Sequence, residues 1–196
     1  QGASEAAAYR WFRNCVALIG STEPDKRWLL KNPGHIENLD LLFAVFPDAK
    51  VIQTHRDPAK AVPSLVSLLT KRHEVIETSS KAERTHIMLK REVQKWAGAV
   101  RKADAVRADH PGQVLDVNHA DLHRDAMAVL DRIYDFIAME LPEDSRRAMA
   151  QRIADKPELS RGAHRYHISD FGMTEAEARE PFGDYLARHD LLEIAR

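Results

Sequence analysis

Cysteine is all but missing from this chain: Cys15 is the single one in 196 residues. An internal disulfide is therefore excluded, and a reducing compartment such as the cytoplasm is the expectation. Long hydrophobic runs are missing too. None approaches the roughly 20 residues that span a bilayer, so no membrane partner is expected. Neither sign of charge is in excess, with 29 Lys and Arg against 30 Asp and Glu and a net charge of −1. That balance argues against a chain that coats nucleic acid or a membrane surface, and any anion site has to come from local placement. Glycine is sparse, at eight residues, and nowhere do glycines gather into a loop that would cradle a phosphate. No internal repeat, low-complexity tract or Pro/Gly-rich linker interrupts the chain. One domain, long enough to bury a core, is the simplest organisation.

What is present is concentrated between Arg27 and Leu69. Two short apolar runs, Trp28-Leu29-Leu30 and Val51-Ile52-Gln53-Thr54, are each bounded by turn residues and followed by helical periodicity. Such runs read as buried strands, and a helix between them makes a βαβ unit. Lys31 and His35 follow the first run; His55, Arg56 and Asp57 follow the second. In open parallel sheets the ligand crevice lies at the carboxyl ends of strands, which is where these side chains fall. Asp57 suits a helix N-cap and Pro58 the first helical position. Pro63 predicts a kinked or late start to that helix, with Ser64 near its effective N-terminus. An Arg fork and a hydroxyl beside unpaired helix N–H groups form an anion site, most naturally for phosphate. The alternative is that Arg56 pairs with a carboxylate and Ser64 is a solvated helix residue. Spacing alone favours neither.

The remaining chain reads mostly as helix. Ala6 to Ile19 is an amphipathic helix with Tyr9, Phe12, Val16 and Ile19 on its apolar face. Asn32-Pro33-Gly34 makes a tight turn, and His35 opens a helix carrying Ile36, Leu39, Leu42, Phe43 and Phe46. Lys81 to Asp109 predicts a long helix with Ile87, Val93, Trp96 and Val100 inside and a solvated charged face. Gln113 to Val117 is a third strand candidate. Asp121 is the expected N-cap of one helix running to Met139. A further helix covers Glu143 to Ala154, and Lys156 to His167 is a basic loop.

The run WLLKNPGH, then FPDAKVIQTHRDP, then Ser64 resembles the sulfotransferases that use 3′-phosphoadenosine 5′-phosphosulfate (PAPS), in particular their bacterial-type branch. That branch reads close to W-x-x-K-x-P-x-H, F-P-D-A, R-D-P and a later Ser. HRY, DFG and Tyr185 near the end are similar to the same branch. The resemblance implies an α/β fold, a three-layer, mostly parallel sheet of the P-loop nucleotide-kinase-like type, here incomplete at its N-terminus. The family carries its 5′-phosphosulfate loop after its first strand, and this sequence has no counterpart. Residues 1–196 are then expected to be the C-terminal portion of one sulfotransferase-like domain, a fragment of a longer polypeptide.

Residue by residue, the resemblance puts Arg56 and Ser64 on the 3′-phosphate and sets Lys31 and His35 on the family's Lys and His. His119 falls where the family often has a Tyr near the adenine, and Arg161 and Gly162 fall on a late segment that also touches the 3′-phosphate. The implied donor is PAPS, leaving 3′,5′-adenosine bisphosphate (PAP), with a small-molecule or glycan acceptor and no metal. Sulfonyl transfer needs a base for the acceptor and a cation for the leaving 5′-phosphate. His35 suits the first, with Glu37 as its alternative, and Lys31 the second.

Other readings have less support. His119-x3-His123 and His164-x2-His167 have metal-ligand spacing but no third ligand at a recognisable offset. Cys15 lies in an apolar helix without an activating neighbour. A phosphotransferase would need a Walker loop and Mg²⁺ ligands, neither of which is visible. A non-catalytic nucleotide-binding module of the same fold remains as the rival.

Overall fold

The computed structural model describes residues 5–73, 80–155 and 167–192. The chain divides into two compact units, residues 1–51 with 98–114 and residues 52–97 with 115–196.

In the first unit, helix α1 (Ala6–Gly20) and helix α2 (Leu39–Val45) pack with the end of α4 (Lys81–Ala108). Tyr9, Leu39, Leu42, Phe43 and Ala103 form the core, with Ile36, Phe46 and Val106 around it. Phe12 meets Phe46 edge-on at 5.7 Å, and Phe43 stacks on His110 at 4.2 Å. Apolar residues one helical turn apart on α1 and α2 are what make this contact possible. Between them lies a 3-10 helix, Pro33–Asn38, started by Asn32, whose Oδ1 accepts from the Gly34 N–H at 2.9 Å. The single helix expected from His35 is thus two elements, because Pro33 and the Asn32 cap set a tighter first turn.

The first apolar run does not become a strand. Residues 27–32 belong to no strand among the described residues, and Leu29 is 90% exposed. Apolar character recommends burial but supplies no backbone partner, and a strand is made by its neighbour. Trp28 instead turns back on Gly20, where a Cβ would stand 2.9 Å from the indole Nε1. That contact explains a glycine at the end of α1.

Strand β1 (Val51–His55) and strand β2 (Val114–Asn118) pair in a small parallel sheet, and most of both belongs to the second unit. Helix α3 (Pro58–His73) follows β1 directly. Asp57 caps it, accepting from the Ala59 N–H at 2.9 Å. It runs through Pro63 from its first residue, so the late start does not occur. Pro63 costs the helix one backbone bond, but it is fully buried beside Val62 and Val66, and that packing carries the turn. Ser64 lies between one and two turns inside the helix, exposed, rather than at its N-terminus.

Helix α4 buries Thr85, Leu89, Val93, Ala97 and Val100, a stripe of three- and four-residue steps. Ile87, expected inside, is exposed. It sits two residues from Leu89, about 200° around the helix. After β2 the expected single helix is again two, α5 (His119–Arg124) and α6 (Ala126–Phe136). Asn118, not Asp121, caps α5, and Asp125 breaks the run and caps α6, with bonds of 3.0 Å each. An Asx side chain that captures a backbone N–H two or three residues on competes with helix continuation. Helix α7 (Glu143–Ala154) falls where the sequence puts it. Two short helices, α8 (Glu175–Arg179) and α9 (Tyr185–Arg188), end the described chain. No helix among the described residues is long and apolar enough to cross a membrane.

Candidate functional site

Lys31 and His35 line one cleft of about 390 Å³ in the first unit, together with Tyr9, Phe12, Asn32 and Glu37. The Asn32 cap and the 3-10 turn aim His35 back toward α1. Its Nδ1 is 2.8 Å from the Tyr9 hydroxyl, and its ring lies against Tyr9 and Phe12. Burial against these aromatics pushes the His35 pKa below its ordinary 6.5 and raises that of Tyr9. With Nδ1 on Tyr9, Nε2 has no hydrogen bond among the described residues. When Nδ1 carries the proton and donates it to the hydroxyl oxygen, Nε2 is a base. Lys31 is exposed on the extended segment. Glu37 accepts a Lys102 hydrogen bond at its backbone carbonyl and lines the same cleft.

The second unit holds Arg56, Ser64 and His119. His55 is the last residue of β1 and is 1% exposed, while Arg56, next along, is exposed. Among the described residues Arg56 has no carboxylate partner. Its neighbour Asp57 pairs with Arg179 instead, accepting through both oxygens, at 3.1 and 2.6 Å. Arg179 also donates to Glu175, which in turn accepts from Lys60 at 2.6 Å. The bond to Asp57 raises the Arg179 pKa, and the bond from Lys60 lowers that of Glu175. The planar guanidinium of Arg179 occupies both oxygens of Asp57, the acid next to Arg56 in sequence.

His119 opens α5 at the end of β2. Its burial, the charge of Arg56 and the nearby His123 all lower its pKa, so Arg56 and His119 share one electrostatic neighbourhood. The rings of His119 and His123 are 4.5 Å apart. Arg161, Gly162 and His164 lie outside the described residues.

The sequence profile of the sulfotransferase family matches residues 4–143, more than half of the chain. The chain belongs to the sulfotransferase family. Two solved structures resemble it. One is sulfotransferase STF9 from Mycobacterium avium, 24% identical, covering 100% of this chain and 50% of its own, with a TM-score of 0.84. The other is sulfotransferase STF1 from Mycobacterium tuberculosis H37Rv, 27% identical, covering 84% of this chain and 41% of its own, with a TM-score of 0.64. The chain therefore spans about half the length of these structures or less. A comparison with curated protein sequences finds no match. The likeness establishes the sulfotransferase fold: α/β, mostly helical, with a small parallel sheet.

Two sets of contacts in this chain are not legible in the sequence. Tyr9 reads as plain core, yet it holds His35 from 26 residues away. Arg179, Tyr185 and His189 reach the end of β1 from more than 100 residues away. Neither spacing nor local composition carries a signal across such separations; only the sheet and the return of the chain bring them together.

Proposed function

We propose that this chain provides the 3′-phosphate site and the acceptor-activating groups of a PAPS-dependent sulfotransferase acting on a hydroxyl or amine. The observation that carries the reading is Arg56: an exposed guanidinium at the carboxyl end of β1, with no carboxylate partner among the described residues. A charged fork left uncommitted in this way fits an anionic ligand such as a phosphate. Ser64, exposed on α3, adds a hydroxyl, and His119 supplies a ring for the adenine or a hydrogen bond to it.

At the acceptor, His35 Nε2 removes the hydroxyl or amine proton as the new bond to sulfur forms. Lys31 meets the charge that the departing 5′-phosphate oxygen takes with it. These steps need position and charge more than covalent chemistry, as in phosphoryl transfer. The acceptor itself is a small molecule or a glycan.

The test is nucleotide discrimination by the wild-type chain. PAP carries the 3′-phosphate and AMP does not, so PAP is expected to bind more tightly by calorimetry. Arg56→Ala removes most of that difference, since a hydrogen bond to a charged group contributes about 1.5–3 kcal/mol. Equal affinity of the wild type for PAP and AMP overturns the assignment. Binding of PAP without transfer in the full-length protein would leave a nucleotide-binding module instead.

A further inference from the structure

The polar cluster around the buried His55 has no role in the steps above. His55 Nε2 is 2.7 Å from Asp116 Oδ1, and its Nδ1 is 3.0 Å from the Tyr185 hydroxyl. One tautomer satisfies both: Nε2–H donates to the carboxylate, and Nδ1 accepts from the phenol. The His189 ring stacks on His55 at 3.8 Å and 13°, and the His189 carbonyl accepts from Asn118 at 3.0 Å. His55, Asp116 and His189 also have ligand atoms within 4.8 Å of one another, a grouping compatible with a metal ion. The stacking argues against one. A ligating lone pair lies in its ring plane, and an ion about 2.0–2.1 Å from each nitrogen cannot lie in two nearly parallel planes that far apart. Both nitrogens of His55 are moreover engaged by Asp116 and Tyr185.

What the cluster shares with the Arg179 fork is its target. Arg56 stands between His55 and Asp57, and both neighbours are gripped by the same late segment. Tyr185 and His189 hold His55, while Arg179 holds Asp57 through two bonds. We infer that the segment from Arg179 to His189 fixes the backbone at Arg56 from both sides, with Tyr185 and Arg179 as positioning residues for the anion site. The inference rests on the reading of Arg56 as the 3′-phosphate ligand. A guanidinium on a backbone pinned at the residues before and after it loses less freedom on binding than one on a mobile loop.

The experiment measures PAP and AMP affinity by calorimetry for the wild-type chain, Tyr185→Phe and Arg179→Lys, each also combined with Arg56→Ala. Tyr185→Phe is expected to cut the PAP-over-AMP preference about tenfold, leaving AMP affinity unchanged. In the Arg56→Ala background it is expected to change nothing, because the positioned group is gone. Circular dichroism checks folding; if Tyr185→Phe does not fold, Arg179→Lys, which keeps the charge and loses the fork, carries the same test. A merely structural role weakens both nucleotides together and acts in both backgrounds, which overturns the inference. So does a Zn²⁺-dependent rise in melting temperature that His189→Ala abolishes, which would make the cluster a metal site. A wild type without PAP preference overturns the reading of Arg56 itself and is seen before any variant is made.

Discussion

The cleft around His35 and the strand end around Arg56 are built on opposite plans. In the cleft, Lys31 and His35 ride on an extended, exposed segment and a 3-10 turn, and one hydroxyl orients the imidazole. At the strand end, the residues on both sides of Arg56 are locked by a carboxylate, a phenol, a stacked imidazole and a guanidinium fork. The difference suits the chemistry proposed for each. A phosphate is one shape, recognised by fixed donors, and rigidity there raises affinity. An acceptor site has to admit and release a substrate, and the groups on it gain from a less constrained setting.

The largest effect expected to break this comparison is on the cleft side. His35→Ala should lower kcat for sulfonyl transfer by about 10²–10⁴-fold, the usual range for a positioned base, with PAP binding nearly unchanged. Because burial holds His35 below its ordinary pKa of 6.5, its neutral, proton-accepting form persists further into acid. The acid limb of the kcat profile is then expected below pH 6.5, and it should vanish in His35→Gln. A small kcat loss on substitution would move the base to Glu37.

A smaller effect tests the strand end. Asp57 is at once the cap of α3 and the acceptor of the Arg179 fork, two ties on one carboxylate. Asp57→Ala removes a capping bond, worth about 0.5–2 kcal/mol, and leaves Arg179 with Glu175 as its carboxylate partner among the described residues. A loss of about 2 kcal/mol in urea unfolding is expected. Asp57→Asn keeps the cap and loses the charge, so it should recover part of that loss. If both variants unfold like the wild type, the strand end is not locked as described.

How much of this was legible beforehand follows from range. Asp57 as cap, β1 and β2, and the exposure of charged faces on α4 are local matters, set by a few neighbouring residues, and the sequence shows them. The break at Asp125 is not legible, because an Asx cap inside a continuous helical pattern looks like an ordinary helical residue until its partner N–H is seen. The Trp28-Leu29-Leu30 run departs from its expected strand for a different reason. Periodicity reports what a segment would bury, not whether another strand is there to receive it. Lys31 and His35 fall in one cleft because a turn of Pro and Gly joins them, which spacing does reveal; the hold of Tyr185 on His55 depends on the path of 130 residues, which it does not.

The smallest expected effect, that of Leu29→Ser, sharpens the contrast most cleanly. Leu29 and Leu89 are the same residue in opposite settings, one 90% exposed on the extended segment, the other 0% exposed in α4. Leu89→Ala removes packed methyl groups and leaves a cavity, a loss of about 2–5 kcal/mol. Leu29→Ser changes a side chain that already faces solvent, so its stability should stay within about 0.5 kcal/mol of the wild type. Chemical denaturation of the two variants side by side measures both. Were Leu29→Ser to cost as much as Leu89→Ala, residues 28–30 would be packed in solution, and the first apolar run would be a buried strand after all. The cleft beside it would then be as tightly built as the strand end, and the contrast between the two regions would be lost.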